Sequence, residues 1–138
     1  MLKEGVRIGL GTDGPMSGNT LDIIGQLGYV ANVQKLVNHD RNVMPAIDVV
    51  EMATMGGARA LHMEDQIGSL EPGKLAGLIV LNHNDTTMTP FYDVYSTVVY
   101  AASSHDCPHG YYSGPRGYGR PPNQDRRRGG CAGACTHS

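Results

Sequence analysis

Cysteine is absent from the first 106 residues of this 138-residue chain, and all three cysteines (Cys107, Cys131, Cys135) fall in the last 32. Disulfides would be expected to staple the folded part, so the pattern argues against an extracellular disulfide scaffold. No apolar run approaches the ~20 residues of a membrane span. The N-terminus MLKEGVRIGLG carries Lys3 and Glu4 where a signal peptide requires an unbroken apolar stretch. These absences point to a soluble, cytoplasmic protein with no membrane partner. The final 32 residues also lack every Leu, Ile, Val, Met and Phe, while holding seven Gly, four Pro and five Arg against one Asp. They cannot bury enough apolar surface to offset roughly 1–2 kcal/mol of backbone entropy per residue, so residues 107–138 are predicted to be a disordered Gly/Arg/Pro-rich tail.

What remains is acidic and apolar. Residues 1–106 hold six Lys or Arg against twelve Asp or Glu, a net of −6, and are rich in Ile, Leu, Val and Met. Met1 to Gly5 reads as a last helical turn closed by glycine. Val6 to Asp13 (VRIGLGTD) reads as a buried strand with both faces covered, as in a parallel sheet. Asp13 then lies at its C-terminal end, where α/β folds gather ligands and catalytic groups. After the loop GPMSGN, Thr20 is a plausible N-cap for a helix to about Val37, with Leu21, Ile24, Leu27, Gly28 and Ala31 on its apolar face. A second helix is predicted from Pro45, with Ile47, Val50, Met52 and Ala53 inward and Gly56-Gly57 at its C-terminus. Glu71-Pro72-Gly73 is a turn, and Leu75 to Asn82 a strand. TPFYDVYSTVVYAAS fits helix or strand, the preferred reading being a short helix over 90–97 with an extended exit.

The strings GVRIGLGTDGPMSGNTLD and AIDVVEMATMGGARALHMEDQIGSLEPGKLAGLIVL resemble the C-terminal part of the amidohydrolase superfamily. The nearest branch holds methylthioadenosine/S-adenosylhomocysteine deaminases and the related chlorohydrolases and cytosine or guanine deaminases. The likeness is read over residues 1 to about 106, with Gly77 standing where the family usually has Asp. It implies an α/β fold: 1–60 as the last βα unit of a metal-dependent-hydrolase (β/α)8 barrel, and 61–106 as part of a composite β-sandwich. It implies a divalent metal, zinc or iron, in full-length relatives, and hydrolytic deamination of a small heterocyclic substrate. Those relatives are expected to be homo-oligomers. Asp13 takes the place of the strand-eight aspartate, as metal ligand and catalytic proton carrier; Ser17 and Asn19 are weaker candidates for substrate contacts. On residue type alone, Asp13-Gly14 could equally be a turn.

A deaminase site needs more ligands than this sequence shows. The family's HxH pair and later single histidines have no counterpart, and His39, His62, His83, His105, His109 and His137 follow no metal spacing. A barrel takes about 250 residues. The chain is therefore expected to be a C-terminal fragment, with Met1 an internal methionine or a false start, that binds no metal and is inactive alone. The tail admits other readings. Codons permitted by CPHGYYSGPRGYGR, read one base later, can encode an alternating Val-His-Thr-Val-Ile-Ile strand, which suggests a frameshift near Asp106. Arg126-Arg127-Arg128 among tyrosines and glycines could instead make a non-catalytic RNA-binding segment. Cys131-x3-Cys135 with His137 superficially resembles a metal cluster of no common zinc spacing.

Overall fold

The computed structural model describes residues 4–84, 86–107 and 109–112. Its elements are a short helix α1 (Pro15–Gly18), a long helix α2 (Ile23–Asn38), and α3 (Ala46–Glu51), which runs through a π-helical turn (Met52–Gly56) into α4 (Gly57–Ala60). Strand β1 (Gly77–Val80), helix α5 (Val94–Tyr100) and strand β2 (His109–Tyr112) follow, with 3₁₀ turns at Thr86–Met88 and Ser104–Asp106.

The core is helical. Leu27 and Ala31 of α2, Val49 of α3 and Val99 of α5 are buried together, with Leu10, Met44, Ala46, Val50, Ala53 and Val98 packed around them. Gly28 lets α2 and α5 meet closely, since a Cβ there would lie 2.8 Å from the Val99 carbonyl oxygen. At the far end of α2, Lys35 Nζ donates to the Met44 carbonyl and the Tyr100 hydroxyl, both at 2.8 Å, tying α2 to the following loop and to α5.

Several elements differ from expectation. The N-cap of α2 is Asp22, whose Oδ1 accepts from Gly25 N–H at 3.1 Å; Thr20 instead accepts from the Asp22 N–H at 3.0 Å. A carboxylate two residues closer to the helix won the capping role. Ile47 is 50% exposed and Val49, not Val50, is the fully buried residue of α3. Gly56-Gly57 does not end its helix. A Cβ on Gly56 would lie 2.8 Å from the Ile8 carbonyl oxygen, and one on Gly9 would lie 2.7 Å from Gly57 Cα. These glycines let segment 6–13 cross the helix backbone to backbone.

That segment is extended but pairs as no strand among the described residues, and Val6 is 49% exposed. The one sheet described is two-stranded: β1 and β2 run antiparallel, with Gly77 opposite Tyr112 and Val80 opposite His109. No complete barrel is present among the described residues. The aromatic-rich stretch is helical from Val94, one turn later than expected, because Asp93 caps it by accepting from Ser96 N–H at 2.7 Å.

The tail expectation is corrected where it begins. Cys107 is buried, and His109–Tyr112 is a strand rather than disordered chain. Ladder pairing uses backbone groups, so a segment poor in apolar side chains can still complete a sheet. The arginine run, the Cys131/Cys135/His137 group and most of the proposed shifted frame lie outside the described residues.

Candidate functional site

Asp13 follows the extended segment 6–12 and adopts φ 58°, the left-handed region that Asp tolerates better than most residues. Its Oδ1 accepts from Gly14 N–H at 2.7 Å, and Thr12 Oγ1 donates to the Asp13 carbonyl at 3.1 Å. Pro15 opens α1, where its missing N–H costs nothing. The Gly14 carbonyl accepts from Ser17 and Gly18 N–H at 2.9 and 3.1 Å, and Asn19, at φ 59°, closes the turn by donating its backbone N–H to the Pro15 carbonyl at 3.0 Å. Gly18 folds back so closely that a Cβ would sit 3.0 Å from the Thr12 carbonyl oxygen.

Asp13, Ser17 and Asn19 thus share one tight, exposed knuckle at the end of the extended segment. Among the described residues no hydrogen bond joins their side chains, and the second Asp13 oxygen has no partner. The loop GPMSGN is a turn of helix in which Thr12, Gly14 and Gly18 set the geometry of Asp13, a geometry whose local signals are the Asp-Gly-Pro and Ser-Gly-Asn spellings.

The arrangement can offer a carboxylate to a water, a proton or a cation. It cannot enclose a metal alone, because among the described residues no three His, Cys, Asp or Glu come together as a ligand set. A catalytic zinc takes three or more protein ligands, so a single Asp does not fit that group by itself. Three of the described histidines make local contacts. His39, at φ 51°, caps the end of α2; His62 Nδ1 lies 3.4 Å from Arg7 Nη1; and His83 meets the Phe91 ring edge-on at 6.3 Å.

Two carboxylates away from the knuckle have lowered pKa values. Glu71 is lowered by the Ser69 hydroxyl and then by Lys74, across a turn, and Asp93 by the Ser96 it caps. Both shifts report turn and cap chemistry. A shallow depression at the start of α2 is lined by Thr20, Asp22, Gly25, Gln26 and Tyr29. It includes none of Asp13, Ser17 or Asn19.

Residues 1–114 match the Amidohydrolase family. The chain is 42% identical over 127 residues to a 5-methylthioadenosine/S-adenosylhomocysteine deaminase of Syntrophobacter fumaroxidans, covering 92% of this chain and 28% of that protein. It is 39% identical over 106 residues to the enzyme of the same name from Thermodesulfovibrio yellowstonii, covering 77% of this chain and 24% of the relative. A crystal structure of an adenosine deaminase from Xanthomonas campestris with bound zinc superposes with a TM-score of 0.77 at 34% identity, over 80% of this chain and 25% of that one. The chain thus spans about a quarter of the length of the relatives it matches. Likeness runs past Asp106, where the sequence reading ended it, in both the family match and the Syntrophobacter relative. Among the described residues no helix is long and apolar enough to cross a membrane.

Proposed function

The chain belongs to the amidohydrolase family, and from that membership we propose that it carries the strand-end carboxylate, Asp13, of a site for hydrolytic deamination of an adenosine-like heterocycle. The observation that carries this reading is the knuckle itself. A carboxylate at the end of an extended segment is held in the left-handed region, with one oxygen fixed by Gly14 N–H and the other free of partners among the described residues.

Such a carboxylate can orient a water, take its proton as the oxygen attacks an amidine-like carbon, and return that proton to the departing amine, so that ammonia leaves. A divalent metal, when bound, supplies a lowered pKa for that water. The chain's described residues supply one carboxylate, and the remaining ligands belong to the part of the site that its relatives build from the rest of their length. Ser17 and Asn19, on the same knuckle, are the substrate contacts of this reading. On this reading the 138 residues alone release no ammonia.

A chimera tests the proposal. Residues 1–114 of this chain replace the matched segment of the Syntrophobacter relative, and ammonia release from 5-methylthioadenosine and adenosine is followed with and without Asp13→Asn. Deamination that the substitution reduces at least about a hundredfold supports the reading, a size in the range of general acid–base catalysis. A chimera that stays equally active after Asp13→Asn removes this carboxylate from the chemistry.

A further inference from the structure

The helix running from α3 to α4 widens into its π-helical turn, Met52–Gly56, where segment 6–13 crosses it. Such turns are rare, and they recur at functional sites. Here the turn and the residue after it meet the segment at three consecutive positions. The Met52 carbonyl accepts from Leu10 N–H at 3.3 Å. Gly57 faces Gly9, and a Cβ on Gly9 would fall 2.7 Å from Gly57 Cα. Gly56 faces Ile8: a Cβ on Gly56 would lie 2.8 Å from the Ile8 carbonyl oxygen and 3.0 Å from the Glu51 carbonyl oxygen of its own helix. Its φ of −61° is ordinary helix, so space and not backbone conformation requires glycine. Gly56 is closed to a side chain from two sides, once by the crossing and once by the wide turn.

Asp13 is three residues beyond Leu10, a span of at most about 11 Å. Along it, Gly18 of the knuckle packs on the Thr12 carbonyl, and Asp13 Oδ1 accepts from Gly14 N–H. A side chain on Gly56 must push the Ile8 carbonyl back by roughly 0.5 Å to reach an ordinary C···O separation of about 3.3 Å. The segment then moves off the helix with the carboxylate it carries. We propose that Gly56 is a positioning residue for Asp13: the π-helical turn seats residues 8–10, and the depth of that seat sets where the Asp13 carboxylate stands. This role rests on the proposed chemistry of Asp13 and goes beyond it, because the glycine touches neither substrate nor reacting atoms. Misplacing a catalytic group by about 1 Å can cost roughly a hundredfold in rate, so half that displacement is expected to cost at least about tenfold.

Two experiments test it. In the full 138-residue chain, hydrogen exchange of the Leu10 N–H reports the seat. Gly56→Ala is expected to speed that exchange at least about tenfold. Gly57→Ala is the control, since its Cβ would meet only the Met52 carbonyl oxygen at 3.5 Å and Gly9 Cα at 3.9 Å, and it is expected to leave the exchange within about twofold. Unchanged Leu10 exchange in Gly56→Ala overturns the proposal. In the chimera, Gly56→Ala is made with and without Asp13→Asn, and kcat for ammonia release is compared. The expected loss is at least about tenfold with Asp13 present and about twofold or less once Asp13→Asn is in place, because a residue that acts through a carboxylate costs little after the carboxylate is gone. Equal losses in the two backgrounds show general damage and overturn the proposal, as does no loss in either. If Gly56→Ala does not fold, Gly9→Ala enters the same crossing from an exposed position and is carried through both experiments. Full activity of the Asp13→Asn chimera counts against the deaminase reading alone, and Leu10 exchange then decides whether the π-helical turn seats the segment.

Discussion

Replacing Gly9 by alanine probes the contact that fixes segment 6–13, and with it Asp13, to the helical layer. The new Cβ would lie 2.7 Å from Gly57 Cα and 3.5 Å from Gly57 N, against backbone that cannot rotate away. Carbon pairs are comfortable at about 3.5–4.0 Å, so the segment and the helix must part by roughly 1 Å. That movement also lengthens the Leu10 N–H to Met52 carbonyl bond, already 3.3 Å. Overpacking costs about 1–3 kcal/mol and a lost hydrogen bond about 1 kcal/mol, offset by about 0.4–1 kcal/mol from the stiffer unfolded chain. The net expectation is about 1–3 kcal/mol of destabilisation, a large share of the ~5–15 kcal/mol typical of a domain. Gly11→Ala is the control: it lies on the same segment, and nothing stands within 4 Å of its added Cβ. Urea unfolding followed by far-UV circular dichroism reads both. Equal midpoints for the two variants would refute the crossing.

Other outcomes follow from the same contacts. Val49→Ala, at a fully buried core position, should lower unfolding free energy by about 2 kcal/mol, roughly two buried methylenes with a small cavity; a change below about 0.5 kcal/mol would place the core elsewhere. Asp22→Ala should cost about 1 kcal/mol by exposing the first turn of α2, and Thr20→Ala clearly less; the reverse order would restore Thr20 as the cap. Glu71 and Asp93 have folded pKa values below their ordinary 4.5 and 3.8. Their contribution to stability is therefore complete above those ordinary values and is lost as pH falls through the lowered ones. Replacing either by its amide should flatten the acid limb of a melting-temperature profile, and an unchanged limb would show that these contacts do not form in solution.

Much of the helical layer was legible because periodicity reports burial. Leu27 and Ala31 were placed on the inner face of α2, and Gly28 with them, although its reason, the approach to the Val99 carbonyl, needed the fold. Boundaries were less legible. Thr20 and Asp22 are both capping residues, and only the backbone course decides which reaches Gly25. Gly56-Gly57 carried the usual spelling of a helix end, yet served a crossing with a segment more than forty residues earlier, a contact no local pattern encodes. Segment 6–13 read as a buried strand because its apolar residues are those of one; burial on both sides requires neighbouring strands, which the described residues do not provide. Composition misled at Cys107. A lack of apolar side chains excludes a core, but pairing His109–Tyr112 with β1 requires only backbone donors and acceptors. The Asp13 knuckle was located by motif, whereas its geometry, left-handed Asp13 held by the Gly14 N–H and left-handed Asn19 held by the Pro15 carbonyl, was visible only in three dimensions.

The proposed function depends on Asp13 being the carboxylate of a deamination site. Ammonia release by the chimera of residues 1–114 with the Syntrophobacter relative measures it most directly. Turnover with Asp13 and a loss of at least about a hundredfold with Asp13→Asn at unchanged folding are expected, as for removal of an acid–base group. Equal turnover by the two chimeras would contradict it, as would ammonia release by the 138-residue chain alone.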